Sequence, residues 1–223
     1  MRDWLAFLRN ERGNVTIFTL TIFMLIMLVL FMALFNLSTV FVVKEQASDS
    51  AQQAALAAVK PIYDEMEKAL ARYDQSPMRL KDEAYIKPFV DQAEASIRAS
   101  HPDWARSEVR YEAIDQVLSN WLPANVELLF YVQTGLAQAA PKLRDVVVTI
   151  LEANHATVPG SQIVVTADER IQVQTSVRFR STTFDFSFMP DPKHEEEVYQ
   201  TGSSRQIGFL HAAGGLFLSS ITL

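Results

Sequence analysis

The chain has 223 residues, about half of them apolar, and sets 20 Lys+Arg against 26 Asp+Glu, a net charge of −6 that offers no electrostatic footprint for nucleic acid. Cysteine is absent, which excludes zinc fingers, iron–sulfur clusters and thiol nucleophiles and leaves the fold to packing alone. The seven glycines form neither G-x-G-x-x-G nor a Walker loop, so nucleotide chemistry has no footing.

From Gly13 to Val43 there are 31 consecutive residues without Asp, Glu, Lys or Arg. A removable secretory core is only about 7 to 15 residues, whereas a membrane-spanning helix needs about 20, so this run is an anchor. Asn36 and the scattered Ser and Thr can hydrogen-bond within a helix or to a neighbour. Arg2, Arg9 and Arg12 precede the run, while Lys44 is the only basic residue in the fifteen that follow it. Basic flanks stay in the cytoplasm. Residues 1–13 therefore read as a cytoplasmic leader-like tail and 14–43 as the transmembrane helix of a single-pass protein in the cytoplasmic membrane, its N-terminus inside. The remainder, with 17 Lys+Arg and 24 Asp+Glu, lies outside as an acidic, soluble part.

Residues 44–75 continue as an extracytoplasmic helical extension, since "KEQASDSAQQAALAAVK" is rich in helix formers and has neither Gly nor Pro before Pro61. Ala47, Ala51, Ala54, Ala55 and Ala58 recur at spacings of three and four. They make a stripe of small side chains that suits close helix packing, either with a partner or with the protein's own domain. Pro61 is expected to kink or end this run, after which "IYDEMEKALARYD" resumes helical spacing.

Residues 76–223 read as one extracytoplasmic α+β domain, with helices over 82–140 and a sheet over 144–210. Ile86, Phe89, Val90, Ala93 and Ile97 share one helical face, with Pro88 in the first turns. Ile114, Val117, Leu118, Trp121 and Leu122 make a second such face, and "NVELLFYVQTGLAQAA" is apolar on most sides and expected to be the buried helix. At Arg144 the texture changes: "DVVVTILEANH" is a β-branched run with strand character. Ile171, Val173, Thr175, Val177 and Phe179 then alternate strictly with polar residues. The phase flips to Phe184, Phe186 and Phe188, which places a bulge or bend near Ser181–Thr182. An antiparallel sheet of four or five strands follows, its apolar face covered by the helices. The tail Gly208–Leu223 is too short and too broken by Gly214-Gly215 for a second span. It reads as a strand and turn finishing the sheet, with an apolar docking surface as the alternative.

A long N-terminal helix, half span and half spine, followed by a sheet is the plan of type IV pilins and their relatives. Two segments sharpen this: "ERGNVTIF" at 11–18 and "DSAQQAALAA" at 49–58. At this spacing they resemble the N-terminal module of the TadE/TadG-like proteins of the tight-adherence (Flp-type) pilus machinery. The resemblance covers about the first 60 residues. It implies cleavage by a prepilin peptidase after Gly13, leaving Asn14 as the new N-terminus and keeping the anchor. It also implies partners among the other pilus or secretion assembly proteins, with a secretion ATPase and a polytopic platform protein encoded nearby. Pilins of this kind carry a Glu five residues into the mature chain; this chain has Phe18 there. Larger TadG-like chains add a D-x-S-x-S metal site, which the segment Asp185–Met189 does not reproduce, so no metal site is expected.

The residues themselves point to no enzyme and no cofactor. His101, His155, His194 and His211 have no ligand spacing and lie beside turns or termini. The run Lys193–Glu197 reads as a solvated loop rather than a calcium site, and there is no G-x-S-x-G elbow. The function expected is that of a membrane-anchored, pilin-like component of a tight-adherence pilus or related secretion assembly, acting through protein contacts. The alternative is a signal-anchored extracytoplasmic ligand-binding or sensory domain.

Overall fold

A computed structural model describes residues 11–77, 85–179, 196–214 and 220–223, with the backbone alone at 11–14. The elements are α1 (Glu11–Asp74), α2 (Ile86–Ser100), α3 (Arg106–Trp121), a 3-10 turn (Leu122–Ala124), α4 (Val126–Ala153), β1 (Thr157–Val165), β2 (Arg170–Phe179), β3 (Glu196–Gln206) and β4 (Ile221–Thr222). Two compact units are formed, one from Met1–Val43 with Arg178–Glu197, the other from Lys44–Val177 with Val198–Leu223.

In the first unit, the described part of α1 is long and apolar enough to cross a membrane. Most of its large apolar side chains stand in the open, Phe18 at 66 % and Met24 at 67 % among them, while Met32 is buried. Its threonines are satisfied locally: the Thr19, Thr21 and Thr39 hydroxyls donate to the carbonyls of Val15, Ile17 and Phe35 at 2.9, 2.8 and 3.0 Å. Those bonds keep the polar hydrogens inside the helix.

The second unit holds the core. Along α1, Ala54, Ala58, Ile62, Met66, Ala69 and Tyr73 are all at 0 % exposure, at spacings of three and four that keep one face inward. Pro61 neither ends nor interrupts this helix. Of the kink or end expected at Pro61, the end does not occur; burial of Val59, Ile62 and Tyr63 on either side outweighs the hydrogen bond that Pro61 cannot donate. The α2 helix contributes Ile86, Val90 and Ile97, and its first two amides, those of Ile86 and Lys87, donate to the Asp74 carboxylate at 2.8 and 3.1 Å. Pro88 sits in that first turn, where a missing N–H costs little.

The β-branched run from Arg144 is helix, not strand: α4 continues to Ala153 and the sheet starts at Thr157. Leu143, Val147 and Leu151 are buried, whereas Asp145 and Thr149 are exposed, a helical pattern that an alternating strand could not produce. The modest helix propensity of Val, Ile and Thr is overridden by burial of this face. Pro141 does not stop α4 either; it and Ala137, whose carbonyl loses its partner, both lie on the exposed side where water can serve. Nor is α4 buried all round, since Val126 is 82 % and Phe130 65 % exposed.

The sheet is four-stranded and antiparallel, in the order β3-β2-β1-β4. Along β2, Ile171, Val173, Thr175 and Val177 are buried, as the alternation predicts, but Ser176 of the polar face is buried too and Phe179 is only half-buried; Ile163 faces Val173 across the β1 ladder. The register shifts between Thr157 and Gln162, where Gly160 takes φ +85°. The tail finishes the sheet: Ile221 and Thr222 pair with β1, while Phe209 and Leu210 in the turn after β3 are buried in the core. The alternative of an exposed docking surface therefore fails at Phe209 and Leu210. The bend near Ser181–Thr182, the phenylalanines of 184–188, the Asp185–Met189 segment, Lys193 and His194 lie outside the described residues.

Candidate assembly module

The residues singled out for packing come together in the second unit. Ala47, Ala51, Ala54, Ala55 and Ala58 are each fully buried within the chain itself. At Ala51 the covering element is a strand, not a helix. A Cβ on Gly202 of β3 would lie 2.2 Å from the Ala51 carbonyl carbon and 2.3 Å from Gln52 N, so strand and helix backbones are in direct contact. Beside that crossing, the Gln52 side chain pairs with the strand backbone in both directions. Its Nε2 donates to the Ser203 carbonyl at 3.0 Å, and its Oε1 accepts from Ser203 N at 3.1 Å. Because β3 is an edge strand, this side-chain amide satisfies backbone groups there that no neighbouring strand takes.

Further along, Gln46 Nε2 donates to the Asn154 carbonyl at 3.1 Å, and Asn154 Nδ2 donates to Gln53 Oε1 at 3.1 Å. The stripe is thus framed by glutamines that anchor α1 to β3 and to the end of α4. Sequence reasoning found the alanines but missed Gln52, Asn154 and Gly202. An isolated glycine within a strand is a signal of close backbone approach, and it was legible at Gly202.

Three polar clusters hold the helices together. Arg110 of α3 donates to Glu67 at 3.0 Å, Asp91 at 3.1 Å and Glu94 at 3.0 Å, which joins α1, α2 and α3. Glu65, almost fully buried, accepts from Lys142 and from Lys68 at 2.7 Å. Hydrogen bonds from Lys142 and then Lys68 hold its carboxyl below the ordinary range. Asp115 is buried, and its Oδ2 accepts from the Tyr63 hydroxyl at 2.7 Å and from Arg205 Nη2 at 3.2 Å. Burial pushes this carboxyl up to about 6, against the opposing pull of Tyr63, Arg205 and the Gly208 backbone.

The described histidines do not converge: His101 stacks on Trp104 at 4.2 Å, His155 occupies the turn after α4 with φ +57°, and His211 lies in the turn after β3. Gly13 and Asn14 already have helical backbone within α1.

A family model described as Flp pilus-assembly TadE/G-like (Tad) matches residues 13–60. The matched segment begins at the predicted cleavage position, takes in the apolar run and closes two residues after the last alanine of the stripe. No curated protein and no solved structure matches the chain.

Proposed function

We propose that this chain is a membrane-anchored, pilin-like component of a tight-adherence pilus or related secretion assembly, working through protein contacts rather than chemistry. The observation that carries the reading is the coincidence of the family match at 13–60 with the exposed apolar half of α1 and the alanine stripe that follows it. In this reading the uncharged run lies in lipid, where its apolar side chains need no protein cover and its threonines need no water. Arg2, Arg9 and Arg12 hold the N-terminus in the cytoplasm, and the residues from Lys44 onward fold outside. The alanine stripe serves the chain's own domain by admitting β3 onto α1. Partners are met in the membrane and through the outer domain's surface, and they are the other proteins of the assembly.

Cleavage after Gly13 by a prepilin peptidase belongs to the same reading, because it would remove the basic tail and keep the whole anchor. A reporter enzyme fused after Leu223 is expected to be active only outside the cytoplasm. The membrane-extracted fusion is expected to have the intact mass of a chain beginning at Asn14. Strong cytoplasmic activity would overturn the orientation, and a mass that includes Met1 would remove the peptidase from the partners.

A further inference from the structure

We propose that Asp115, which shares Arg205 with Glu112, is the proton-binding group of a clasp that holds the Ile207–Gly214 turn against α3 when the surroundings become acidic. The clasp is independent of the assembly role and rests on the geometry of one cluster.

Two carboxylates meet a single guanidinium there. Arg205 Nη2 lies 2.7 Å from Glu112 Oε2 and 3.2 Å from Asp115 Oδ2, and its Nη1 donates to the Glu108 carbonyl at 3.4 Å. With both acids ionised the group carries one uncompensated negative charge. Glu112 is part-exposed, with about a third of its side chain open to solvent, whereas Asp115 has 7 %. Asp115 Oδ1 is moreover fully buried and has no hydrogen-bond partner among the described residues. An ionised carboxylate with an unserved oxygen in that setting is costly. A proton on Asp115 removes the charge that Arg205 cannot balance.

The groups facing Asp115 come from every element around it. Tyr63 of α1 donates from one side, with the Tyr111 ring of α3 stacked on it at 4.1 Å and Phe209 of the turn edge-on at 6.2 Å. Glu112 comes from α3 and Arg205 from β3. The turn itself presents the Gly208 backbone, where a Cβ would stand 3.6 Å from the Asp115 Cβ, and the Gly208 carbonyl accepts from Ser119 Oγ at 3.1 Å. Lifting the turn off α3 would hydrate Asp115 and return it to an ordinary acid.

The sign follows from linkage. The folded carboxyl is raised from the ordinary value of 3.8 to about 6, so between those values the closed form holds a proton that the open form does not. Closure is favoured as pH falls into that window and loses support as pH rises through about 6.

Hydrogen exchange on the full chain in detergent, corrected for intrinsic rates, tests this at pH 5 and pH 7.5. Amides of Ile207–Gly214 are expected to be about tenfold better protected at pH 5, with α2 amides changing far less. Asp115→Asn is expected to abolish the difference. Tyr63→Phe removes a donor that favours the ionised acid, so it should keep the difference and move its midpoint to higher pH. Equal protection at both pH values in the unmodified chain, an undiminished difference in Asp115→Asn, or an unmoved midpoint in Tyr63→Phe would each overturn the proposal.

Discussion

Gly202 and Gly135 show how differently two glycines respond to one added methyl. At Gly202 the Cβ would meet the backbone of α1 at 2.2–2.3 Å, and neither chain can yield without separating strand from helix. Gly202→Ala is therefore expected to cost about 3 kcal/mol, the upper end of ordinary overpacking. At Gly135 of α4 the nearest atom is Met66 Cε at 2.8 Å, the free end of a flexible side chain, and alanine also favours a helix. Gly135→Ala is expected to stay within about 1 kcal/mol of the unmodified protein. Chemical denaturation of the full chain in detergent distinguishes these outcomes, and equal costs at both positions would contradict the backbone contact. A glycine within a strand pattern was a readable sign of close approach. That the approaching backbone belongs to Ala51, about 150 residues earlier, was not, because nothing local records a long-range crossing.

The elements were legible where one face of periodicity stood clear of propensity. In β2, alternation identified Ile171, Val173, Thr175 and Val177 as buried because a half-covered strand must sort its side chains by twos. In α4 the β-branched cluster Val146–Val148 suggested a strand. The buried set Leu143, Val147 and Leu151, spaced by four, decides for helix, with Asn154 closing it. The alanine stripe was legible as a packing face, and its occupant was not. Since Ala51 and Ala55 are fully buried, Ala51→Leu or Ala55→Leu should lower the melting temperature of the full chain, by roughly 1–3 kcal/mol of stability. An unchanged melting temperature in both variants would mean that β3 does not rest on this face.

For the molecule as a whole, the proposed anchor and its proposed orientation rest on a long uncharged run and three arginines, features that need no tertiary context. The family match ends at residue 60, so the helices and sheet beyond it are legible in the sequence only as periodicity, and their contacts only in the fold. The proposed role in a tight-adherence assembly rests on residues 13–60. Affinity purification of the full chain from detergent-solubilised membranes of its native cell tests it directly. It is compared with a variant whose Val15–Val43 segment is replaced by an unrelated transmembrane helix of equal length. The unmodified chain is expected to bring down the platform protein and secretion ATPase of a tight-adherence machinery, identified by mass spectrometry, and the replaced chain to lose them while keeping its own membrane insertion. Recovery of neither protein with the unmodified chain, or undiminished recovery with the replaced one, would contradict the account.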